Sequence, residues 1–323
     1  MKIGKFFLRI GQYVLLTFLF AFIYIQTARV CAPYMPDLSL TKPGPIPSPF
    51  DFLLVSAGHV GVVMIILLSS RWAGWKLALA TTFSYLGVTT VMAQIETAYF
   101  LTGLTLPPGL LPRLILMGFL TAILFVPLAV VILGRVRAKD SHSTPNDRLV
   151  MPLRQWLWKL AAMMLIYLVL YYGAGYFIAW QNPELRAFYG GVDPGNFFAQ
   201  MLSIFRDDPW LTPFQMMRSL MWVAFTLPIV RMTRASERGG GWWTAIVAGL
   251  LLAVPMNIGH VLPNPLIPDT SVRLSHMIET ASSNFVLGLA ITWLFYRRHA
   301  SLADLFGIRK IETAQPLKSQ PAS

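Results

Sequence analysis

The stretch Leu114-Ile115-Leu116-Met117-Gly118-Phe119-Leu120-Thr121-Ala122-Ile123-Leu124-Phe125-Val126-Pro127-Leu128-Ala129-Val130-Val131-Ile132-Leu133 contains no charged side chain. As a helix rising about 1.5 Å per residue it spans about 30 Å, the thickness of a bilayer's hydrocarbon core. It is the centre of an apolar span over 113–134, bounded by Arg113 and Gly134. Pro127 is compatible with that reading, because neighbouring helices can re-satisfy the carbonyl that a proline frees. Seven further spans of the same kind flank it, at 11–30, 52–70, 77–99, 157–180, 214–230, 242–258 and 276–296. Those over 214–230 and 242–258 are short, with Pro228 and Pro255 near their ends. Only 12% of the 323 residues are charged, about half the share of a soluble domain. The expected fold is an all-α membrane protein with eight transmembrane helices, and its first partner is the lipid bilayer.

The charges set the orientation. The chain carries a net +12, but the excess is not spread evenly. With the N-terminus inside, the inner loops and tails hold 19 of the 26 basic residues and five of the 14 acidic ones. The inner side is then +14 and the outer side −2. This is the positive-inside pattern of a multi-pass protein of a bacterial-type inner membrane, with both termini in the cytoplasm. It explains the basicity without nucleic acid, which is excluded as a partner. The single cysteine, Cys31, rules out an internal disulfide and a thiolate-rich metal cluster. The N-terminal span has the basic start of a signal peptide, but Thr27-Ala28-Arg29-Val30 is a poor cleavage site. A retained first helix is expected; cleavage would leave seven.

The chain divides at a polar, basic linker over 137–156. A first four-helix half covers 1–136 and a second 157–298, with a polar tail over 299–323. The halves share features in the same order. Each has a Ser/Thr-Pro-Phe entry to its second helix, Ser48-Pro49-Phe50 and Thr212-Pro213-Phe214, offset by 213 − 49 = 164 residues. Each has an inner Gly-Trp turn, Gly74-Trp75 and Gly241-Trp242, and an ionisable residue closing the third helix, Glu96 and His260, again 164 apart. An even number of helices per half makes these parallel repeats. The outer loop of the second half contains Asp193-Pro194-Gly195-Asn196 and then Phe197, Phe198, Met201, Leu202 and Phe205 at helical spacing. With Asp193 as the acceptor at the cap and Pro194 in the first turn, that predicts an amphipathic helix near 194–206, lying on the outer interface.

Polar residues inside the apolar spans are the candidate site, because ionisable groups at membrane depth are costly. His276, Glu279, Thr280 and Ser283 share one face of the last span. Glu96, His260, His59, Arg218 and Arg113 fall in the same outer half. Three readings follow. In a structural one, Arg218 and Arg113 neutralise Glu96 and Glu279, and the cluster only fixes packing, as in a non-catalytic subunit of a membrane complex. In a transport reading, Glu96 and Glu279 exchange protons, histidines such as His59 relay them and Arg218 holds an anion, so the partner is a small solute or a proton. In a hydrolase reading, His260, His276 and Glu279 hold a zinc ion and Glu96 is the catalytic base. The chain has no HExxH, GxSxG, phosphate-binding loop or helix-opening GxGxxG. Transport, with no cofactor, is the leading expectation, and zinc belongs only to the alternative.

Overall fold

The computed structural model describes residues 3–137, 149–193, 195–234, 241–296 and 301–305. The central part of the expected linker and most of the tail lie outside these residues. The described chain is all-helical, with one isolated β-bridge. Its elements are α1 (Ile3–Ala28), α2 (Phe50–Ser69), α3 (Gly74–Leu101), α4 (Leu110–Ile132), α5 (Leu153–Ala179), α6 (Pro183–Phe188), α7 (Phe197–Asp207), α8 (Leu211–Met232), α9 (Trp242–Asn257) and α10 (Thr270–Tyr296). Among the described residues seven helices are long and apolar enough to cross a membrane: α1 to α5, α10, and α9 with the 3-10 turn that carries it to Val261. The expected span over 214–230 is the helix α8, whose composition falls short of theirs. The reason is the polar set Gln215, Arg218, Ser219 and Thr226, all buried. Large apolar side chains on α1 and α5, among them Phe7, Phe18, Phe22, Leu165, Val169 and Phe177, are exposed. Such a surface belongs to a helix in contact with lipid.

Helix ends gather into two layers. One contains the starts of α1, α3 and α9 and the ends of α2, α4 and α8. Arg9 Nη1 donates to Leu133 O (3.3 Å) and Gly74 N to Arg135 O (2.8 Å). Arg71 N donates to Met232 O (2.8 Å) and Arg234 N to Ser69 O (2.9 Å), which closes the Ser70–Thr233 bridge. The other layer holds the loops that the charge pattern assigns to the outside, and is called the outer end below. Arg113 Nη2 there donates to Tyr34 Oη (2.6 Å), Thr105 Oγ1 to Leu266 O (2.7 Å), and Lys42 pairs with Asp269.

The same pairs of helices pack in each group of four. α1 packs on α2 and α4 as α5 packs on α8 and α10; α3 lies on α4 as α9 lies on α10; and α2 meets α9 as α8 meets α3. Gly74 and Gly241, the glycines of the two Gly-Trp turns, both have left-handed φ, +62° and +91°. A side chain there would be strained, so each glycine lets the chain turn directly into α3 or α9. At the start of α7 the structure corrects the expected cap. Asn196 is the N-cap, accepting from Ala199 N (2.9 Å), while Asp193 accepts from Gly195 N.

Candidate functional site

A close approach of α3 and α8 builds the site. In the middle of α3 a π-helical turn, Gly87–Met92, contains Gly87, and a Cβ there would overlap the ring of Phe225 on α8. The missing side chain lets α8 come close. Two turns nearer the outer end of α8, Arg218 reaches Glu96 on α3, with Nη2 to Oε2 at 2.6 Å. Nη1 of the same guanidinium donates to Gln215 Oε1 (3.0 Å), which also accepts from Tyr167 Oη (3.3 Å). Trp222 Nε1 donates to that tyrosine in turn (3.3 Å). Arg218 is only 3% exposed and Glu96 24%. Arg218 Nε and Gln215 Nε2 have no hydrogen-bond partner among the described residues.

This pair lines a cavity of about 800 Å³ between α3, α5, α8 and α10, roofed by α7. Its wall is mostly apolar and rich in tyrosine. It runs from Asp208 and Tyr189 at the outer end to Tyr167 on α5 and Asn284 on α10. Tyr167 lies about 18 Å along the helix from Ala179, near mid-depth of a bilayer. Glu279 and His276 enter from α10. His276 Nδ1 is 3.3 Å from Glu279 Oε2, and its Nε2 is 2.8 Å from the hydroxyl of Tyr189. Burial, with Glu96 and Glu279 nearby, pushes the Tyr189 phenol up, so the tyrosine keeps its proton beside Nε2 while Nδ1 faces the Glu279 carboxylate. Gly175, opening a π-helical turn of α5, leaves room beside Glu279: a Cβ there would lie 3.7 Å from its Oε1. Thr280 Oγ1 is 2.5 Å from both Asn257 Oδ1 and His276 O, which ties the expected polar stripe to α9.

The sequence-derived candidates therefore separate. Glu96, Arg218, His276 and Glu279 share the cavity. His59 does not. It is buried in the first group of helices, with Nδ1 2.6 Å from Tyr85 Oη and its ring stacked on Phe20 at 4.8 Å. Arg113 stands on Tyr34, 3.6 Å from the ring centroid, and not on Glu279. His260 stacks on His276, with centroids 6.2 Å apart. The expected ligand set of His260, His276 and Glu279 does not form a metal centre. Among the described residues no three His, Cys, Asp or Glu side chains are grouped to hold a metal ion, and His276 has both ring nitrogens engaged. The residues that sequence reasoning missed are Tyr99, Tyr189, Gln215 and Asp208. Tyr99 donates to both carboxylate oxygens of Asp208 at 2.9 Å and stacks on Phe214 at 4.1 Å. Asp208, the C-cap of α7, thus joins the roof to α3. Comparison with family models, curated proteins and solved structures gives no match.

Proposed function

We propose that this chain is an eight-helix carrier of a bacterial-type inner membrane that moves a small anion together with a proton. In this reading α8 is the eighth crossing helix, the two termini lie on the basic face, and residues 1–136 and 157–298 are parallel repeats joined by 137–156. The matched helix packing, the paired glycine turns and the reciprocal Ser70–Thr233 bridge support the repeat. The 22 residues of α8 reach about 33 Å, enough to cross. Its polar side chains are covered by its neighbours, which makes the crossing affordable in hydrocarbon.

One observation carries the transport reading: Glu96 and Arg218, one from each half, meet in a cavity that reaches mid-depth. In the resting site Glu96 neutralises Arg218. An entering anion takes its place on the guanidinium, which lines the cavity. Glu96, released from the guanidinium, is then the carboxylate placed to carry the proton that accompanies the anion. The chain Tyr189–His276–Glu279 offers a route for protons from the outer loop. Replacing the contact between the halves by a contact to the solute couples occupancy to their relative position.

The test is proton-driven uptake of labelled benzenesulfonate and phosphate into proteoliposomes. The wild-type protein accumulates at least one of these anions when the outside is acidic, and Arg218→Gln does not. A wild-type protein that moves neither anion, with no proton entry, contradicts the reading and favours a structural subunit.

A further inference from the structure

The basic layer of helix ends, opposite the cavity mouth, carries a group of cations that no described carboxylate neutralises. Arg135 Nη2 donates to Ser70 O and, at 2.9 Å, to Trp72 O. Arg234 Nε donates to the same Ser70 O at 3.2 Å. Two donors on one carbonyl hold these guanidiniums side by side, one from each half of the chain. Arg9 reaches the adjoining end of α4, with Nη1 on Gln12 Oε1 (2.7 Å) and on Leu133 O (3.3 Å). All of these acceptors are uncharged, and none of the three arginines joins an ion pair among the described residues. Their nearness is felt at Arg135, which lies outside the spanning segments: burial, then the charges of Arg234 and Arg9, hold its guanidinium below the usual arginine pKa. The ends of α2, α4 and α8 each supply about half a negative charge, about 1.5 in all against three unit positive charges. Positive charge is left over at the seam.

Donors are left over as well. Arg9 Nη2 and Arg135 Nη1 donate to no described group and are not buried, and Arg234 is an exposed side chain. The surroundings fix the depth. Trp75 and Trp242, the tryptophans of the two Gly-Trp turns, are 77% and 66% exposed. Gly74 N donates to Arg135 O at 2.8 Å, which ties the first of these turns to the seam, and Trp243 Nε1 donates to Ser69 Oγ at 2.9 Å. Exposed tryptophans beside apolar spans sit at the level of the lipid headgroups. A soluble polyanion would use the arginines and leave the indoles in water. A zwitterionic lipid would bring an ammonium that finds no carboxylate here.

We propose that this seam binds the phosphate of an anionic phospholipid of the inner leaflet, bridging Arg135 and Arg234 with Arg9 beside it. The site lies apart from the cavity and does not depend on the transport reading. The test is native mass spectrometry of the purified protein, released from detergent micelles that hold equal amounts of phosphatidylglycerol and phosphatidylcholine with identical acyl chains. The wild-type protein is expected to retain phosphatidylglycerol at least about tenfold over phosphatidylcholine, since each basic residue at a headgroup contributes about fivefold. Arg234→Gln should lower that preference about fivefold, and Arg234→Lys, which keeps the charge, should preserve most of it. Arg154→Gln, at an exposed arginine of the start of α5, should leave it unchanged. Equal retention of the two lipids by the wild-type protein overturns the proposal, and that comparison needs no variant to fold. An equal loss in Arg154→Gln and Arg234→Gln reduces the seam to diffuse attraction and overturns the site. Displacement of the lipid by glycerol 1-phosphate at equal concentration gives the arginines to a soluble phosphate and overturns the lipid.

Discussion

Arg218 commits both terminal nitrogens of its guanidinium inside the protein, and its Nε has no hydrogen-bond partner among the described residues. Removing one partner of a buried ion pair strands the other charge, typically at about 3–5 kcal/mol. Glu96 keeps some contact with the cavity, so Arg218→Gln should fall at or below the lower end of that range. The double variant Glu96→Gln/Arg218→Gln should recover much of the loss, because no unpaired charge remains. Denaturant unfolding of the four proteins of this cycle in detergent measures the coupling, and additive losses would mean that the pair is not energetically linked. Four site residues were legible in the sequence, Glu96, Arg218, His276 and Glu279, because an ionisable group in an apolar span is conspicuous. His59 and His260 were equally conspicuous and do not line the cavity. Depth along a helix can be counted from the sequence, whereas the direction a side chain faces depends on how the helix is rotated against its neighbours. The tyrosines and Gln215 carried no signal, since tyrosine is ordinary near a membrane interface and Gln215 is one neutral amide.

Helix packing is tightest between α9 and α10. A Cβ on Gly288 would lie 2.5 Å from Gly249 N, so the two backbones meet through glycine, the small-residue contact typical of membrane helices. Gly288→Ala should cost about 1–3 kcal/mol, the usual penalty of overpacking. Gly173→Ala on α5, where a Cβ meets nothing within 4 Å, should be neutral or stabilising by up to about 1 kcal/mol. Thermal unfolding of both variants checks the contrast, and a neutral Gly288→Ala would refute the close contact. A second element-level prediction concerns the proline-rich outer loop, which Lys42 and Asp269 tie to the start of α10. Hydrogen bonding from Lys42 holds the Asp269 carboxyl below its usual range, and the same contact raises the Lys42 ammonium. For Asp269 the stabilisation is full above its unfolded pKa of about 4 and is lost as pH falls through the lowered folded value. For Lys42 it is full below about pH 10 and is lost as pH rises through the raised value. The tie therefore holds throughout the physiological range. At pH 7, Asp269→Asn should speed exchange of the Lys42 and Gly44 amides, and unchanged exchange would show that the ion pair does not hold the loop. The elements themselves were largely legible, because an apolar run of bilayer length leaves few alternatives. α8 was the least marked, since the polar residues that build the site also lower its hydropathy, and the cap of α7 was misread because Asp193 and Asn196 are both competent acceptors.

Across the molecule, two similar sets of four helices surround unequal interiors. The 164-residue offset makes His260, in the second set, the counterpart of Glu96, and Leu54, in the first set, the counterpart of Arg218. The interior of that set is filled by stacked rings: Phe20 lies on His59 and, edge-on at 5.0 Å, on Phe125. The counterpart region of the second set holds the cavity instead. One set thus supplies a packed frame with Glu96, Tyr99 and Phe100, and the other supplies Arg218 and the remaining cavity walls. The Ser70–Thr233 bridge joins them at the opposite end. The sequence offsets suggested the repeat, but not which half is hollow, because that depends on how rings from separate helices fill a shared space. The measurement closest to the proposed mechanism is the proton taken up when an anion binds. Calorimetric titration of benzenesulfonate at pH 7, repeated in buffers of different ionisation enthalpy, reports it directly. Exchange of the anion for Glu96 on Arg218 predicts uptake of about one proton per anion, affinity rising about tenfold for each unit that pH falls, and loss of both effects in Glu96→Gln. Binding with no proton uptake and no pH dependence in the wild-type protein would contradict it.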